Sequence, residues 1–102
     1  MIKVEITYEG KGLKSLLIKG HANSGQYGKD LVCAGVSCVS IGALNALEEV
    51  DDYEIEVEEG RIYCKFPEKL SEHDETVMEV MILQLKTIKE SYPGFIDIKE
   101  RK

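Results

Sequence analysis

The chain has no excess of basic residues. Nineteen acidic side chains face thirteen basic ones, for a formal net charge of −6. Phosphate backbones and anionic membranes are therefore excluded as default partners, and no direct nucleic-acid contact is expected. The balance suits a basic partner, and it also suits plain solubility. A disulfide framework is missing too, because three cysteines cannot pair off. The start Met1-Ile2-Lys3-Val4 has neither the basic n-region nor the apolar h-region of a secretory signal. Reduced thiols in a cytoplasm are expected. There is no membrane span of ~20 apolar residues. The uncharged stretch Leu31 to Leu47 is 17 residues long and is interrupted by Gly35, Ser37, Ser40, Gly42 and Asn45. It reads as a helix buried inside a domain. A phosphate-loop lysine pattern and a dinucleotide fingerprint are also absent. Zinc on His21, Cys33 and a further thiol is conceivable, but the spacing matches no recognised zinc motif. No metal and no cofactor are expected.

What is present is an ordinary globular composition, 43% hydrophobic and 31% charged over 102 residues. That predicts a single domain over 1–102, small enough for a second copy to cover some of its apolar surface. Ile2, Val4, Ile6 and Tyr8 alternate with polar residues, which is the period of a half-buried strand. Gly10-Lys11-Gly12 then turns the chain into a second strand, about Leu13 to His21. A loop of turn formers spans Ala22 to Lys29. Asp30 is a good N-cap for the helix that follows, which is apolar nearly all round and ends near Glu48-Glu49-Val50. Tyr53, Ile55 and Val57, then Ile62, Cys64 and Phe66, form a second hairpin about Glu59-Gly60. Ser71 with Asp74 resembles a capping box. Apolar residues from Val77 to Ile88 follow at helical spacing, and Tyr92-Pro93-Gly94 ends that helix. Phe95 to Lys99 is a last strand. The order is β-β-α-β-β-α-β, an α+β domain with a five-stranded sheet and two helices.

Chemistry concentrates between Gly20 and Ser37. His21 leaves the end of the second strand, and Cys33 lies twelve positions on, at the third helical position if Asp30 is the cap. Gly25 and Gly28 can bend the connecting loop back and let a peptide backbone approach. A thiol near a helix N-terminus is biased toward thiolate, and a thiolate beside an imidazole can attack a carbonyl. In that reading His21 takes the thiol proton and returns one to the leaving amine. Asp30 either orients His21 as a third member or only caps the helix; the two roles are compatible. Taken singly, Cys33 would more often be a small buried hydrophobe, and His21 a histidine bonded to local backbone. Cys38 and Cys64 read as core. His73, in the first turn of an exposed helix, has no assigned role.

The run Gly20-His21-Ala22, followed by Tyr27-Gly28-Lys29-Asp30-Leu31-Val32-Cys33-Ala34-Gly35-Val36-Ser37, resembles the ribosomal-processing cysteine protease family called Prp. Asn45-Ala46-Leu47, the length and the element order fit as well. Gly25 and Gly35 depart from the family pattern at positions without chemistry. The resemblance implies a cytosolic bacterial endopeptidase that removes a short N-terminal extension from large-subunit ribosomal protein twenty-seven. It implies a homodimer with a mobile loop over the site. Carried over, Cys33 is the nucleophile, His21 the base, Asp30 the motif aspartate and Ser37 a structural motif serine. Two other classes stand beside this one. The first is a non-catalytic module holding a ribosomal protein during assembly. The second is a thiol redox sensor built on Cys33.

Overall fold

The computed structural model describes the backbone of residues 1–20 and 27–102 and the side chains of 1–20 and 31–102. The strands are β1 (Ile2–Glu9), β2 (Gly12–Lys19), β3 (Glu54–Glu58), β4 (Arg61–Lys65) and β5 (Ile96–Arg101). The helices are α1 (Tyr27–Ala46) and α2 (Glu72–Ser91), with one 3₁₀ turn at Val50–Asp52. The α+β order read from the sequence is the one observed.

Alternation decides the layers. Ile2, Val4 and Ile6 of β1 are buried, as are Leu16 and Ile18 of β2, and Ile62 and Cys64 of β4. Register puts them on one face, with Val4 opposite Ile18, Ile18 opposite Ile62, and Leu16 opposite Cys64. The two helices bury Val32, Val36, Leu44, Met78, Met81 and Leu85 in the same cluster, so they form one layer over that face. The other face stays wet. There Glu5 pairs with Arg101 at 3.0 Å and with Lys19 at 3.9 Å.

The sheet order is β3-β4-β2-β1-β5, antiparallel except for the parallel pair β1 and β5. This order sets the ends of β2, β3 and β4 beside the first half of α1. It also leaves β3 on an edge.

Two local expectations change. α1 begins at Tyr27, three residues before Asp30, so Asp30 lies inside the first turn and is not the N-cap. An acid inside the first turn complements the helix dipole much as a cap does, so either place suits it. Gly28 is likewise helical rather than part of a loop. Moreover, α1 is not buried all round. Leu31 is 61% exposed, and Ala34, Ser37, Cys38 and Gly42 face outward.

Ser71 caps α2 as expected, its hydroxyl accepting from the Asp74 N–H at 3.2 Å. Asp74 does not reach back to complete the capping box. Its buried carboxylate accepts from the N–H groups of Glu48 at 2.9 Å and Glu49 at 3.1 Å, and from the Tyr53 hydroxyl. It thereby ties the start of α2 to the chain leaving α1.

Candidate active site

β2 ends at Gly20, and the backbone there is special. Gly20 has φ +98°, a conformation that suits glycine, and a Cβ added to it would sit 2.6 Å from the Met1 carbonyl oxygen. Its N–H donates to the Gly60 carbonyl at 3.0 Å. The chain is thus pinned to the β3–β4 turn one residue before His21. His21 and Gly25 lie outside the described residues, as does the Ala22 to Gln26 part of the expected loop.

Cys33 is half-buried on α1 and faces a groove of about 320 Å³. Ile2, Ile18, Val36 and Ile62 make an apolar floor. Val57 and Ile41 stand at the side, and Gly20, Gly60, Glu58 and Glu59 form the rim nearest the strand ends. Ser37, one helical turn beyond Cys33, opens into the same groove. The structure therefore gathers Cys33, Ser37 and the residue preceding His21 around one cavity. Volume alone does not single it out, since a hollow of about 520 Å³ lies between the helices on their outer side. Its chemistry does: a half-buried thiol over an apolar floor, with a rim where Glu58 and Glu59 stand beside Arg61.

The depth of Cys33 in the helix alters the electrostatic argument. With Tyr27 first, Cys33 is the seventh helical residue. At ~1.5 Å per residue it stands about 9 Å from the helix start, and its N–H is already committed within the helix. The dipole's influence fades within the first turn.

The other thiols differ sharply. Cys64 is fully buried on the helix-facing side of β4, and burial pushes its thiol up to about 11. It is core, as read. Cys38 is exposed, so the core reading fails for it. It lies five residues past Cys33, which rotates it to the outer side of α1, beside Val39, Gly42 and Val80.

Two residues of structural weight were not legible beforehand. His73 caps α1, its Nε2 donating to the Ala46 carbonyl at 2.9 Å, with Glu48 3.4 Å from Nδ1. The bond to that carbonyl, aided by Glu48 and Asp74 and opposed by partial desolvation, raises its pKa. For Asp74, burial raises the carboxyl pKa, but the Tyr53 hydroxyl and the two backbone N–H groups outweigh it and hold the carboxyl below its ordinary range. The available hint was an Asp where a capping box ordinarily has the longer Glu or Gln.

Comparison with known proteins identifies the family. The family model for cysteine protease Prp matches residues 1–97. The ribosomal processing cysteine protease Prp of Bacillus subtilis is 39% identical over 90 residues, covering 80% of each chain. The Staphylococcus aureus protein of the same name is 32% identical over 97 residues, covering 90% of this chain and 92% of its own. The crystal structure of S. aureus Prp with a covalently linked product peptide superposes with a TM-score of 0.86 at 28% identity, covering 99% of this chain and 100% of the other. A Streptococcus mutans structure superposes with a TM-score of 0.82 at 28% identity, over 99% and 94% of the two chains. With the family model spanning nearly the whole sequence and the fold superposing end to end, the chain belongs to the ribosomal processing cysteine protease family Prp.

Proposed function

We propose that this ribosomal processing cysteine protease removes the N-terminal extension of large-subunit ribosomal protein twenty-seven, using Cys33 as nucleophile and His21 as base. The observation that carries the proposal is the placement of the half-buried Cys33 over an apolar groove whose rim includes Gly20, the residue before His21. His21 takes the Cys33 proton, and the sulfur attacks the scissile carbonyl carbon. The resulting tetrahedral intermediate collapses as the imidazolium gives its proton to the leaving amine. Water then enters, loses a proton to His21 and hydrolyses the thioester, freeing the new carboxylate and the thiol. Asp30 supports the start of α1 or orients His21, and Gly25 and Gly28 let the substrate backbone approach. Neither metal nor cofactor has a part in this sequence of steps.

A cytoplasmic location follows from a ribosomal substrate, and among the described residues no helix is long and apolar enough to cross a membrane. A homodimer is supported by the outer side of the helix pair, where Val80 is 47% and Leu83 64% exposed.

The test is incubation of the protein with the extended and the mature ribosomal protein, read by mass spectrometry. One cut should free the extension, the mature form should stay intact, and Cys33→Ala should do nothing. Cleavage by Cys33→Ala at the wild-type rate would overturn the assignment.

A further inference from the structure

The edge strand beside Cys33 has an orientation that can be worked out bond by bond. Phe66 donates its N–H to Lys14, and Gly20 donates to the carbonyl of Gly60, so the even-numbered residues of β4 turn their backbone groups toward β2. The odd-numbered ones, Arg61, Tyr63 and Lys65, therefore bond to β3, where their register partners are Glu58, Glu56 and Glu54. Ile55 and Val57 are left with N–H and C=O pointing away from the sheet. β3 is the last strand in the order, and among the described residues no strand lies beyond it.

The two faces of this edge carry opposite chemistry. Val57, opposite Ile62, is on the helix side, 53% exposed, and lines the groove that holds Cys33. Glu54 and Glu56 project from the other face, Glu58 at the strand's end also reaches the groove rim, and all three are exposed. Arg61 partly neutralises two of them, at 2.9 Å from Glu56 and 3.7 Å from Glu58. Glu59 in the turn adds a further carboxylate at the groove rim.

We infer that the peptide substrate binds as a sixth strand on the outer edge of β3, exchanging main-chain hydrogen bonds with Ile55 and Val57. This rests on the proteolytic reading of Cys33. A residue set opposite Val57 shares its face, so its side chain enters the groove toward Cys33. The residues on either side of it fall among Glu54, Glu56 and Glu58. The substrate class is an extended segment, apolar at every second position and basic between. A second copy of this chain is the poorer occupant, because pairing two β3 edges would crowd six glutamates together. The row of carboxylates thus both repels self-pairing and attracts a cationic peptide.

The experiment measures binding of a fluorescent peptide, spanning the extension and cut site of ribosomal protein twenty-seven, to Cys33→Ala protein by anisotropy. Backbone N-methylation is moved along the peptide one residue at a time. Kd should rise roughly tenfold at every second position and change little between, as expected when single main-chain bonds are lost. Val57→Pro, which removes one outward N–H, should weaken binding of the unmodified peptide similarly. Replacing the peptide's basic residues with glutamine should weaken it severalfold and remove its salt dependence. A flat N-methyl scan overturns the edge-strand mode even if Val57→Pro folds poorly, since the scan uses the unaltered strand. A change of oligomeric state in Val57→Pro by light scattering would give the edge to a second copy and overturn it as well. Cleavage by wild type is read separately. Cutting with a flat scan removes only the binding mode, whereas an alternating scan without cutting keeps the mode and removes the proteolytic reading.

Discussion

Gly20 donates its N–H to the carbonyl of Gly60 across 3.0 Å, and this bond fixes how the chain leaves β2 on its way to His21. Only glycine serves there. The φ of +98° strains any other residue, and the Met1 carbonyl 2.6 Å away occupies the place a Cβ would need. A clash with backbone cannot be relieved by turning a side chain, so β1 or the β2 end must shift.

Gly20→Ala should accordingly cost about 2 to 3 kcal/mol of stability. Its proteolytic activity at a temperature where the fold is intact should fall further than the folded fraction accounts for. Urea unfolding followed by circular dichroism gives the first quantity and peptide cleavage the second. Wild-type values for both would show that the strand end has slack.

The Asp74 node should dominate stability away from the groove. Asp74→Ala strands the N–H groups of Glu48 and Glu49 and the Tyr53 hydroxyl, and should cost about 3 kcal/mol. Tyr53→Phe should cost less, about 1 kcal/mol, because its ring still packs edge-on against Phe66. A double-mutant cycle between the two should show coupling. Additive effects would mean that the hydroxyl and the carboxylate act independently.

The same junction makes stability depend on pH in two opposite ways. The carboxyl of Asp74 is held low in the fold, so its contribution is present above the unfolded carboxyl pKa and is lost as pH falls through the lower folded value. The pKa of His73 is raised, so its contribution is complete below the ordinary histidine value and disappears as pH rises through the folded one. Urea midpoints should therefore be highest in mildly acid solution and decline toward pH 8, and His73→Gln should flatten the upper decline only. An unchanged pH profile in His73→Gln would remove its cap of α1 from the account.

Much of this was legible from pattern. Ile2, Val4 and Ile6 announce their face by alternation, and Ser71 announces the start of α2, because both signals are local. The strand order was not legible, since nothing local says that β5 will run parallel beside β1. The start of α1 lies four residues earlier than expected, because Asp30 suits a helix terminus both as a cap and within the first turn. Cys38 was misread because an uncharged helix looks buried on every side, and periodicity cannot say which apolar stripe lacks a neighbour. Cys33 and His21 stood out by motif, whereas the groove that gives Cys33 its surroundings is assembled from β1, β2, β3 and β4. Asp74 gains its role from residues 21 to 26 positions away.

The three thiols should separate by reactivity. Cys64 is buried with its thiol pushed up to about 11, so it should react with iodoacetamide only after denaturation. Cys38, exposed on α1, should label at the rate of an ordinary accessible thiol. Cys33 should label fastest if the His21 pairing operates, and His21→Ala should slow it toward the Cys38 rate. Mass spectrometry of peptides from time-quenched samples assigns each rate. A Cys33 rate unaffected by His21→Ala would count against the dyad.

The last prediction concerns assembly. On the outer side of the helix pair, Val80 and Leu83 of α2 are 47% and 64% exposed, and a hollow of about 520 Å³ runs past Cys38, Val39 and Gly42 of α1. Small residues on α1 let another surface approach closely, and the two large side chains of α2 offer apolar area to cover. An isologous pair about a twofold axis can use the same patch on both copies. Val80→Lys with Leu83→Lys sets like charges against each other across such an interface, while both sites are exposed enough for a lone subunit to accept lysine. Light scattering at micromolar concentration should give a dimer for the wild type and a monomer for the double variant, with an unchanged circular dichroism spectrum. If the variant stays dimeric, the contact lies elsewhere. If the wild type is already monomeric, the homodimer is wrong, and this apolar patch is open surface of a single chain.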